Sequence, residues 1–294
     1  IDSKEKFLKV MKYVVLSNII VSFKIILLYW IKSGTAASRI ASITGIYFNT
    51  VGQVIGFSIF FAFYLYKSTG KKFYLYSILP QYAAIFLTES RKSLLIPIIG
   101  FLFILIIQGN VKKIIKFILY GIVTLGIVVF MLQTFNSSIL LNVSDKLGNL
   151  VKYVANEETN DWSINLRTKF IDTGKEIFKK YPINGIGLNN FSYYAGHYTS
   201  YGIERYAHNN YIEILSCLGL IGLVLYYMIY LSALKKLLKI LKKKRKDIKV
   251  IVALSFLLVL MIMEWGIVSY SGCLYHIYIL FVYYIIFEKE KSTF

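Results

Sequence analysis

Acidic residues are scarce in this sequence: 15 Asp and Glu stand against 34 Lys and Arg in 294 residues, for a formal net charge of +19. In a soluble protein that imbalance would point to nucleic acid. Here 57% of residues are hydrophobic and mean hydropathy is +0.60, so Lys-rich cytoplasmic loops between membrane spans explain the charge better, and no nucleic-acid partner is expected. Cysteine is almost absent. Cys217 and Cys273 make no CxxC redox or metal motif, and whether they pair is left open. Only three histidines occur, no His/Cys/Asp/Glu set has metal-ligand spacing, and no acidic pair has that of a DxD clamp. Chemistry without a metal or cofactor is the expectation. No cleavable signal peptide is recognisable and position 1 is Ile, which suggests a fragment lacking N-terminal spans. No repeat period or heptad run is present.

What the sequence has in abundance is apolar runs: Val10 to Ile31, Thr50 to Tyr66, Phe73 to Thr88, Ser93 to Gln108, Ile114 to Phe135, Tyr211 to Leu234, Val250 to Val268 and Leu274 to Phe287. They predict an all-α, polytopic integral membrane protein of about eight transmembrane helices, a single membrane domain over 1–294. Lys clusters fall in alternate gaps, including the run from Lys235 to Lys249. By the positive-inside rule those gaps and both termini are cytoplasmic, in the cytoplasmic membrane of a bacterium. The gaps 32–49, 89–92, 136–210 and 269–273 then face outward, and 136–210 is one large extracytoplasmic loop carrying amphipathic helices.

Arginine is rare as well: of the 34 basic residues only five are Arg. Arg39, Arg91, Arg167 and Arg205 fall on the predicted outer side and only Arg245 inside. Arg presents a planar fork that grips phosphate oxygens bidentately and stays charged at a membrane surface, whereas a snorkelling role would not favour one side.

The most informative stretch runs from Ile164 to Leu231. Leu166, Phe170, Ile177 and Tyr181 recur at helical spacing, placing Arg167 near the start of an amphipathic helix that Pro182 and the turn Asn184-Gly185 stop. Asn209 and His208 sit at the mouth of the next apolar run, at or just before a helix N-terminus whose N–H groups favour an anion. An imidazole there can take a proton from an attacking hydroxyl near neutral pH. With the arginines, this suits displacement of a pyrophosphate leaving group. His197 and His276 are read as structural.

In order along the chain, Arg167, Tyr181-Pro182, Asn184-Gly185-Ile186-Gly187, Asn190-Phe191, His208-Asn209 and Gly219-Leu220-Ile221-Gly222 resemble the signature of the O-antigen ligase and O-antigen or capsular polysaccharide polymerase family. Ser90-Arg91-Lys92-Ser93 resembles its Ser-Arg-small motif, with Lys92 where a small residue is usual, and Arg39 with Phe48-Asn49 resembles its Arg-to-Pro-Asn motif. The resemblance covers about Arg39 to Leu231 and implies a GT-C-like membrane glycosyltransferase acting on undecaprenyl-pyrophosphate-linked oligosaccharide at the outer face of the membrane. By the same resemblance His208 activates or orients the acceptor hydroxyl and Arg91, Arg167 and, less closely matched, Arg39 hold the donor pyrophosphate. Asn209 and Arg205 are secondary candidates. Membrane lipid, flippase and chain-length regulator proteins are the implied partners. Heavy use of Ile, Tyr, Asn and Lys suggests an AT-rich, Gram-positive genome with no lipopolysaccharide to ligate, which favours a polymerase for capsule or exopolysaccharide. Ligase-like transfer to another acceptor and a polysaccharide or lipid transporter are the alternatives; a transporter calls for midplane charges and paired broken helices.

Overall fold

A computed structural model describes residues 3–31, 47–88, 90–109, 111–121, 161–199, 202–243 and 247–291, with isolated positions at 148, 152 and 155. All regular structure among them is helical: α1 (Lys4–Ile31), α2 (Phe48–Thr69), α3 (Lys72–Tyr76), α4 (Ile78–Leu87), α5 (Arg91–Ile107), α6 (Trp162–Lys180), α7 (Phe191–His197), α8 (Asn210–Lys243), α9 (Ile248–Met263) and α10 (Cys273–Lys291), with a further helical stretch at 111–121. Among the described residues three segments, Lys4–Tyr29, Asn49–Thr69 and Asn210–Lys243, are long and apolar enough to cross a membrane. The chain forms two compact units, one of Ile1–Gly109, Tyr230–Met263 and Cys273–Phe294, the other of Asn110–Ile229 and Glu264–Gly272.

In the first unit α2 packs against α1, α4, α5 and α9. Glycines one turn apart let α5 approach closely: a Cβ on Gly52 would meet the Ser93 side chain, and one on Gly56 would press on the Ser93 carbonyl. That carbonyl would ordinarily receive the N–H of residue 97, which is Pro97, inside α5. Proline also interrupts the hydrogen-bond ladder of the run Phe73 to Thr88, read from sequence as one span, although Ser77 keeps helical dihedrals. Pro80 cannot donate to the Tyr76 carbonyl, and α3 ends at Tyr76 before α4 starts at Ile78. α9 is buried on nearly every face, as an apolar helix surrounded by other helices should be. At its entry Asp247 pairs with Lys289 at 2.6 Å. Burial opposes ionisation there, but the hydrogen bond and charge of Lys289 outweigh it and hold the Asp247 carboxyl below its ordinary range.

In the second unit the amphipathic face of α6 forms as its spacing predicts, with Leu166, Phe170 and Ile177 buried. Tyr181 departs from it and is 40% exposed, because the helix has ended at Lys180 and its period no longer applies. Phe191, Ala195, Ala207 and Cys217 complete this core.

The run Tyr211 to Leu234, read from sequence as one span, lies within α8, which carries a kink. Gly219 has φ 63° and ψ −162° inside α8, a conformation essentially restricted to glycine. In an unbroken helix the N–H groups of Leu220 and Ile221 would donate to the carbonyls of Ser216 and Cys217. Instead they donate to Pro182 (2.9 Å) and Ile183 (3.4 Å), while those two carbonyls accept from Ile186 (3.0 Å) and Gly187 (2.8 Å). The turn after α6 is therefore spliced into the hydrogen-bond ladder of α8. The contact is backbone against backbone: a Cβ on Gly185 would overlap the Cys217 carbonyl, and one on Gly219 would overlap that of Ile183. Residues with the family's glycine pattern are those that let two main chains touch.

Gly219→Ala should accordingly destabilise the protein by about 3 kcal/mol or more, since it combines a forbidden dihedral with a main-chain collision. Gly121→Ala, with open space around its Cβ, should be neutral or slightly stabilising. Thermal unfolding in detergent measures both, and equal midpoints would refute the splice.

Candidate functional site

Arg167 lies half-buried on α6, one turn before Phe170, so the two are neighbours on one helical face. The Phe170 ring stacks on the imidazole of His208 at a centroid distance of 6.2 Å and an interplanar angle of 25°. Tyr206 contacts the same imidazole at 4.1 Å and is 47% exposed. The fold thus brings the Arg167 turn to His208, and adds Tyr206, which the sequence reading passed over. Arg205 is exposed on the segment 202–207, which has no regular structure.

His208 holds a left-handed backbone, φ 55°, uncommon outside glycine. The main chain is tied down on both sides of it. The Ala207 N–H donates to Glu213 Oε2 at 2.6 Å, and the Asn210 N–H donates to the Glu264 carbonyl at 2.8 Å. Asn209 is the helix cap, its Oδ1 accepting from the Ile212 N–H at 3.2 Å. At this helix N-terminus the N–H groups of Asn210 and Ile212 already have protein acceptors. The Asn209 Nδ2, by contrast, is buried without an acceptor among the described residues.

A second buried constellation supports this turn. Glu264 is fully buried, just past the end of α9. Its Oε2 accepts from the Tyr227 hydroxyl at 2.5 Å and Asn210 Nδ2 at 3.3 Å. Its Oε1 accepts from the Ser269 hydroxyl at 2.8 Å. Asn210 Oδ1 in turn accepts the N–H groups of Ser269 (2.9 Å) and Tyr270 (3.1 Å). Burial, with Cys217 and Glu213 nearby, pushes the Tyr270 phenol above its ordinary range. The sequence carried one signal of this network: an acid surviving inside or beside an apolar run marks a site by default, and Glu213 and Glu264 are two such acids.

In the first unit Arg91 is the exposed first residue of α5. The serines on either side of it are buried: Ser93 Oγ donates to Ser90 Oγ at 2.8 Å and approaches the Asn49 carbonyl at 3.4 Å. Two stretches singled out in the sequence, Phe48-Asn49 and Ser90 to Ser93, are therefore in contact. The small side chain needed at this contact is Ser93, which lies against Gly52, so Lys92 does not disturb it. Arg39 lies outside the described residues. Cys217 and Cys273 are free thiols.

The cap offers a direct check on this geometry. Asn209→Ala removes the acceptor for the Ile212 N–H and should cost about 1 kcal/mol, whereas Asn209→Ser keeps a capping oxygen and should lie within a few tenths of wild type. Denaturation in detergent resolves the two, and identical losses would show that the cap contributes nothing.

Among curated proteins no match to the chain is found. The O-antigen ligase family, however, matches residues 75–227, which is just over half of the sequence. The matched region holds Arg91, the spliced turn with its partner Gly219, and the Arg167, Phe170 and His208 cluster. Membership supports a glycosyltransferase-like enzyme of glycan transfer or polymerisation, and with the three long apolar helices it supports a membrane protein. The chain belongs to the O-antigen ligase family.

Proposed function

We propose that this protein polymerises oligosaccharide repeat units carried on undecaprenyl pyrophosphate, at the outer face of the cytoplasmic membrane. The observation that carries the reading is the stacking of His208 on Phe170, one turn from Arg167, within the matched family region. An acceptor hydroxyl attacks the anomeric carbon of the donor sugar, the bond from that carbon to the phosphate oxygen breaks, and undecaprenyl pyrophosphate departs. His208 takes the hydroxyl proton. Arg167 and Arg91 bind pyrophosphate oxygens, with Arg39 a further candidate for that role. Asn209 and Arg205 are secondary candidate site residues. The proposed topology has eight spans, cytoplasmic termini and the 136–210 loop outside. The composition favours capsule or exopolysaccharide polymerisation over ligase-like transfer.

The break at Gly219 does not favour a transporter. In that class unwound backbone is left open to coordinate a substrate or coupling ion, whereas the carbonyls of Ser216 and Cys217 here accept from Ile186 and Gly187.

Chemistry and topology are separately testable. With lipid-linked repeat units in vitro, Arg91→Lys and Arg167→Lys keep the charge but lose the fork, and each should lower activity about 10- to 100-fold. His208→Ala should lower turnover by about 10²- to 10⁴-fold with donor binding little changed. Rescue by His208→Gln would make the imidazole a hydrogen-bonding group rather than a base. Product lengthening by whole repeats identifies a polymerase, and transfer to a different acceptor identifies a ligase. A cysteine placed at Ser200 should react in intact cells with a membrane-impermeant thiol reagent, and one at Lys243 should not; the reverse pattern inverts the topology.

A further inference from the structure

We infer that Glu213 and Glu264 are positioning residues for His208, two buried carboxylate side chains that lock the left-handed turn carrying the imidazole. The inference rests on the proposed role of His208 as the base, and reaches beyond it to what holds that base.

Each acid reaches the turn from a different direction. Glu213 is 3% exposed, and its Oε2 holds the Ala207 N–H, the last main-chain donor before His208. Glu264 acts through Asn210, two residues after His208. Its main-chain carbonyl takes the Asn210 N–H, and its carboxylate holds the Asn210 amide while Tyr227 and Ser269 donate to the same carboxylate. The Asn210 side chain is thereby fixed at both ends, since its Oδ1 receives the N–H groups of Ser269 and Tyr270. A residue with φ 55° stays there only when its surroundings over-determine it, and the cost of doing so is of order 1–3 kcal/mol. A buried carboxylate is expensive unless its oxygens are occupied. At Glu264 both oxygens accept hydrogen bonds, so the network is of the kind that rigidifies a unique geometry. A base must lie within hydrogen-bond reach of the proton it abstracts, and displacement of about 1 Å can cost about 10²-fold. Glu213 acts through the main chain of Ala207, and Glu264 through the main chain and the side chain of Asn210.

A double-mutant cycle tests the inference on the full-length chain in membranes, with turnover per inserted protein measured by lengthening of lipid-linked repeats. Glu213→Ala and Glu264→Gln should each lower kcat about 10²-fold with KM for the donor little changed. Glu213→Gln retains an acceptor oxygen for the Ala207 N–H and should recover activity to within a few-fold of wild type. In the His208→Ala background the acid substitutions should cost no more than about 2-fold further, because a positioning residue has nothing left to position. A full 10²-fold additional loss in that background would overturn the inference, as would a Glu213→Gln variant as poor as Glu213→Ala. If His208→Ala alone retains wild-type turnover, the reading of His208 as base fails instead. A Glu213→Ala protein that does not accumulate leaves the Glu213→Gln and Glu264→Gln arms of the cycle to decide the matter.

Discussion

Main-chain polar groups at a helix break have to find partners, and in a chain of this hydropathy water cannot be relied on to supply them. At Gly219 the break frees two carbonyls and two N–H groups, and the turn from Pro182 to Gly187 takes all four. This exchange fixes where α6 ends relative to α8 within their unit. It also explains why the intervening elements pack as they do: Ser216 bonds the Gly174 carbonyl of α6, and Gly174 lies so close to Ile212 that no side chain fits there.

With α6 and the start of α8 pinned, the Phe170 face meets the segment that leads into α8, and His208 is left stacked against it. The remaining freedom of that turn is removed by polar contacts rather than apolar ones. Glu213, Asn209, Asn210 and Glu264 accept the N–H groups of Ala207, Ile212, Ser269, Tyr270 and Asn210, hydrogen bonds in a buried setting, where each is stronger than in water and a missing one is costly. The acids that make this possible are the ones an apolar helix could least accommodate without a purpose.

Close approach of backbones recurs in the first unit by a different device. Gly52 and Gly56 of α2 admit Ser93 of α5, and Pro97 leaves the Ser93 carbonyl without its helical donor. The polar turn of Ser90 and Ser93 next to Arg91 is buried against Asn49 as a result. In both units a proline and a facing glycine mark the point where two segments touch.

The sequence by itself determined the helical class, the amphipathic face of Leu166, Phe170 and Ile177, the stop at Pro182, and the residues of the family pattern, because each is written in local spacing or residue type. Hydropathy also located the run from Tyr211 to Leu234. Averaging over apolar side chains cannot register the dihedral of a single glycine, however, so the break at Gly219 was invisible to it, as was the interruption at Ser77 that Pro80 imposes. Which partner each signature glycine serves, that Asn209 rather than His208 caps α8, and that Glu264 reaches Asn210 across 54 positions of sequence were decided only by tertiary structure. Those are contacts between segments distant in the chain, and a periodicity or a spacing carries no information about which distant main chain will lie against it.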